Sequence, residues 1–122
     1  MNLKQQLIQK AMTDAGQIIA AIDANGGLIA ECEALAELLK REGLDCSPTF
    51  CSSHPGHAVT WVQSSFGRPS AVRAAIEKAG LIIISDEIDP SSIYPNAIKI
   101  KLAGLTTHIS IPTPAAELAK AA

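Results

Sequence analysis

Residues 3–41 read LKQQLIQKAMTDAGQIIAAIDANGGLIAECEALAELLKR, and the fold turns on how this stretch divides. Ile8, Ala11, Ala15, Ile18 and Ile22 follow one another in alternating steps of three and four, which places them on one stripe of a helix. The spacing returns at Leu28, Cys32, Leu35 and Leu39, broadened by Ile29, Ala36 and Leu38, while Glu31, Glu33, Glu37 and Lys40 fall on the opposite side. Between the two stripes, Asp23-Ala24-Asn25-Gly26-Gly27 supplies residues that cap helix ends and tolerate positive φ, so the chain is expected to turn there. A connection this short predicts an antiparallel helical hairpin over residues 3–42. Lys40 and Arg41 suit the negative end of the second helix, and Gly43 stops it. Gly16 costs about 1 kcal/mol relative to Ala in a helix interior, but a small residue there lets a neighbouring helix come close.

Beyond residue 45 the composition shifts to Ser, Pro, Thr and aromatics. Residues 49–52 and 58–62 favour strands, and His54-Pro55-Gly56-His57 between them carries the Pro-Gly signal of a type II turn, which predicts a β-hairpin. Pro69 suits the first turn of a third helix over about residues 69–79, with Val72, Ala75, Ile76 and Ala79 facing inward and Gly80 ending it. The β-branched run at residues 81–85 reads as a buried strand. Residues 97–102 alternate as a half-exposed strand, and residues 106–111 form its hairpin partner across Ala103-Gly104-Leu105. Residues 86–96 read as a polar loop, and the tail from Ala115 as a frayed helical turn. The prediction is therefore a single α+β domain over residues 1–122, in the order α-α-β-β-α-β-β-β. Its helical hairpin packs on a small, mainly antiparallel sheet built from the β-rich half, residues 46–112.

At 122 residues the chain can bury a core without disulfide or metal support. Its apolar content of 48% is high for this size, and only Phe50, Trp61, Phe66 and Tyr94 are large aromatics, so the core must be aliphatic. That surplus points to apolar surface left for a partner. The net charge of −2 and the scattered basic residues show no phosphate-tracking run, which disfavours nucleic acid as a partner without excluding it. The first residues lack a charged and then apolar leader pattern, the longest aliphatic run (81–84) is far too short to span a bilayer, and three cysteines make an odd number. The expectation is a cytoplasmic protein with reduced thiols and no membrane association.

Four groups of residues carry potential chemistry. Cys46, Cys51, His54 and His57 have the ligand types of a tetrahedral zinc site, although not the spacing of a common zinc finger, and in a strand the two thiols would face opposite sides. Cys51 with His54, His57 or His108 as base is the corresponding nucleophile arrangement. Asp86, Glu87 and Asp89 cluster past a strand, where carboxylates hold cations or act as bases, but a solvated turn explains them as well. Ser65, Gly67, Arg68, Ser70 and Arg73 surround the start of the third helix, where free amides and the helix dipole favour an anion. No cofactor is required by any of these patterns; zinc is the metal that the Cys/His set would take.

Residues 62–66, the third helix and the strands after it loosely resemble the end of a winged helix-turn-helix, in which Arg68, Ser70 and Arg73 would face DNA. That resemblance implies a DNA-binding regulator as one alternative, and a small metal- or thiol-dependent enzyme is another. The leading expectation is a non-enzymatic binding protein that forms a homo-oligomer, or binds another protein, through its N-terminal helices. An anionic ligand near the third helix would complete it.

Overall fold

A computed structural model describes residues 2–54, 57–64, 68–89 and 96–112, apart from the side chains of Ser53, His54 and His57. The turn expected at residues 55 and 56, most of the loop after residue 89 and the tail from Ala115 lie outside the described residues. The elements are α1 (Leu3–Ala24), α2 (Gly26–Arg41), β1 (Cys46–His54), β2 (His57–Ser64), α3 (Pro69–Lys78), β3 (Ile83–Ile88), β4 (Ile98–Leu102) and β5 (His108–Ile111). Class and order are those read from the sequence.

A capping box starts α1: Asn2 Oδ1 accepts from the Gln5 amide at 2.9 Å, and Gln5 Oε1 accepts from the Asn2 amide at 3.0 Å. One residue, Asn25, separates α1 from α2, and its backbone stays on the right-handed side at φ −115°. The Asn25 amide donates to the Ile22 carbonyl, and the Asn25 carbonyl accepts from Ile29, so hydrogen bonding runs on through the joint. The expected hairpin is thus present as an order of elements more than as a packed seam, because antiparallel helices ordinarily need a loop of about two to five residues. No residue of α1 is buried, whereas α2 buries Cys32, Leu35, Ala36 and Leu39.

Both α2 and α3 end in the same way. The Gly43 amide donates to Lys40 and the Leu44 amide to Leu39, and Gly80 and Leu81 repeat the pattern on Glu77 and Ile76. Each glycine has φ +80°, which a side chain would strain. The reversals return Leu44 to the buried core and Leu81 to its margin, so each closing bond carries an apolar contact with it.

The five strands form one sheet in the order β1-β2-β5-β4-β3, antiparallel except for the β2–β5 pair. Pro48 sits opposite Val62 in β1, an edge strand, where a missing ladder donor is tolerated. Val62, Ile98, Ile100, Leu102, Ile109 and Ile111 join Leu35, Leu39, Val72 and Ile76 in one buried aliphatic cluster, so α2 and α3 cover the same face of the sheet. Two expectations shift. The β-branched run expected as a buried strand lies on the opposite edge, with Ile84 63% exposed, and the strand continues through Asp86 and Glu87, which were read as loop. The cause is pairing: Asp86 and Glu87 lie opposite Ile100 and Lys99 of β4, and that ladder outweighs their low strand preference. In addition, β2 occupies the position in which a helix-turn-helix would place its first helix.

Candidate assembly surface and sheet-face cavity

Only some of the residues singled out by sequence fall among the described ones. Cys46 is buried against α2 and its thiol donates to the Ala36 carbonyl at 3.3 Å, whereas Cys51, five positions along the same strand, is exposed. The two sulfurs do not converge. The side chains of His54 and His57 fall outside the description, and among the described residues no three Cys, His, Asp or Glu side chains gather closely enough to hold a metal. Burial raises the Cys46 thiol pKa, and burial likewise raises that of Cys32, which points its sulfur at the Trp61 carbonyl at 3.3 Å.

At the start of α3, Ser65 and Gly67 lie outside the described residues, while Arg68 and Ser70 are exposed. Arg73 is engaged elsewhere. Its Nε and Nη2 donate to the two carboxylate oxygens of Asp86, the latter at 3.0 Å, which raises the guanidinium pKa and ties α3 to β3. This fork also gives Asp86 a structural role. Ser85 Oγ donates to Glu87 Oε1 at 3.1 Å, so the acidic group does not point to one centre.

Two features stand out instead. The first is α1, a helix about 33 Å long by its 22 residues, which leaves Leu3, Leu7, Ile8, Met12, Ile18, Ile19 and Ile22 between 42% and 69% exposed. Its three-four stripe runs on in phase through the joint: Ile22, Asn25, Ile29, Cys32, Ala36 and Leu39 continue it into the face that α2 buries. One end of a continuous apolar stripe is therefore covered and the other bare. Its charges are also sorted, with Lys4 and Lys10 in the first half and Asp14 and Asp23 in the second.

The second is a cavity of about 350 Å³ where β5 begins, bounded by Val59 of β2, Ile84 of β3, Lys99 and Lys101 of β4, Leu105, and His108 of β5. Alternation along β4 buries Ile98, Ile100 and Leu102 under the helices and turns Lys99 and Lys101 the other way. Neither lysine forms an ion pair with another described residue. His108 is half-buried and stacks on Trp61, with ring centroids 6.1 Å apart and planes 15° from parallel. Burial, reinforced by Lys99 and Lys101 and opposed by Asp89, pushes its pKa down to about 4, so the imidazole is neutral at pH 7.

The rim is fixed from the helical side. Glu31 of α2 accepts the Thr106 amide at 3.0 Å and the Thr107 amide at 2.8 Å on one carboxylate oxygen, and the buried hydroxyls of Thr107 and Thr60 meet at 2.8 Å. The alternation Ile98-Lys99-Ile100-Lys101-Leu102 already placed both lysines on one face. Their approach to His108 needed the register of β5 between β2 and β4, and the parallel β2–β5 pairing has no local signature. Among the described residues no helix is long and apolar enough to cross a membrane. The chain matches no family model, no curated protein and no solved structure.

Proposed function

We propose that this protein is a non-enzymatic binding module that assembles as a homodimer, two copies of α1 packing antiparallel along their apolar stripes. The observation that carries this reading is the exposure of seven large hydrophobic side chains on a helix that buries no residue of its own. An apolar stripe of this length on water is the mark of an interface. Leu3, Leu7, Ile8, Ile18, Ile19 and Ile22 would supply the contact area, and the small residues Ala11, Ala15 and Gly16 at the centre would let the two backbones approach.

Charge supports the second copy and its direction. Lys10 and Asp14 pair with each other within α1 at 2.7 Å, so the direction rests on the helix ends: antiparallel pairing brings Lys4 of one helix towards Asp23 of the other, whereas parallel pairing sets like charges side by side. Sedimentation or light scattering at micromolar concentration provides the test. A dimer is expected, and Ile8→Asp with Ile18→Asp should yield a monomer with an unchanged far-UV spectrum. A wild-type chain that stays monomeric across that range would overturn the proposal.

A further inference from the structure

We infer that the cavity at the start of β5 is a binding site for a small amphipathic anion, its carboxylate or phosphate head held by Lys99 and Lys101 and its apolar body lying on Val59, Ile84 and Leu105. The volume of about 350 Å³ falls in the range of small-molecule sites, roughly 300–1,000 Å³. Two positive charges lie on neighbouring outward positions of one strand; neither forms an ion pair with another described residue, and the one carboxylate opposite them in register, Glu87 across from Lys99, accepts from Ser85. Like charges held this close repel one another, and an anion between them removes that repulsion. The three aliphatic walls belong to three separate stretches of chain, so an apolar body would be gripped from several sides.

His108 adds a polar group to the cavity wall. Burial chiefly, with the two lysines adding and Asp89 opposing, disfavours its protonated form, and the neutral ring keeps one donor and one acceptor for the ligand. The Trp61 stack and the Glu31 clasp hold that ring and the rim before any ligand arrives. A nucleic-acid strand fits less well. Strand binding uses cations spread along a groove and exposed aromatic faces, whereas here the cations are a single pair and the one neighbouring indole is stacked on His108.

Trp61 is the only tryptophan of the chain and touches the site through His108, so its fluorescence reads occupancy directly. The full chain is titrated with octanoate, phenyl phosphate and inorganic phosphate. At least one of the two amphipathic anions should give a saturable change at a concentration about tenfold below that needed with inorganic phosphate, and the stronger of the two identifies the head group. Lys99→Gln and Lys101→Gln, singly and together, should each weaken the response by about tenfold or more, while Lys78→Gln, which removes a lysine on α3, should not. Lys99→Arg with Lys101→Arg keeps both charges and should retain binding if the double glutamine variant folds poorly. No saturable change with either amphipathic anion, or an equal response in the glutamine variants, overturns the inference.

Discussion

His108 combines three pressures on one ring: burial, a stack on Trp61, and two lysines on the adjacent strand. Its folded-state pKa, about 4, lies below the ordinary value near 6.5 that it regains on unfolding. The neutral ring therefore adds stability that is fully present above pH 6.5 and is lost as the pH falls from about 6.5 through about 4, because only the unfolded chain takes up the proton across that window. The melting temperature should fall over this range, and the fall should be shallower in His108→Gln; parallel curves for the two proteins would mean that the ring is not held neutral. The sequence marked His108 only as a distant base for Cys51. Its real neighbours are set by strand register, which a run of side chains does not declare. Cys46 shows the converse: strand alternation alone separates its sulfur from that of Cys51, and the structure places one buried and the other exposed.

At the level of elements, helices were easier to read than strands. Step spacing marked α1 and α2, Pro69 and Gly80 bracketed α3, and alternation marked β4. The β-branched run in β3 suggested burial on both faces, yet the strand took an edge because β5 and β2 pair side by side at the centre of the sheet. The least legible tie between elements is Glu31, one of several acids on the polar side of α2. It accepts two backbone amides at the entrance to β5, that of exposed Thr106 and that of buried Thr107. Glu31→Ala should lower unfolding free energy by about 1 kcal/mol, since water can take over the exposed Thr106 amide and only the Thr107 amide risks going unsatisfied. Glu31→Gln keeps an acceptor oxygen and should lose less than half of that. Urea denaturation of the three proteins measures both, and equal stabilities would show that water replaces the carboxylate.

For the whole molecule, the division of labour is between a core that α2, α3 and the sheet complete among themselves and a helix that adds nothing to it. A chain beginning at residue 25 should unfold cooperatively, with a melting temperature within a few degrees of that of full-length protein measured at the lowest practicable concentration. If α1 joins two copies, the full-length midpoint should rise with protein concentration, whereas that of the shortened chain should not. A truncated chain that is unfolded would show that α1 stabilises the core in a way its exposure does not reveal. The surplus of apolar residues visible in the composition has its location here: it is concentrated on α1, with smaller contributions from Val59, Ile82, Ile84 and Ile88.

The single residue at Asn25 thus marks a boundary of constraint as well as of secondary structure. Side chains before it can change without opening a hole in the core, and those after it on the same stripe cannot. If copies associate through α1, selection for how tightly they do so and selection for how firmly the domain folds act on separate residues of two successive helices. Either property can drift, strengthen or be lost without carrying the other with it.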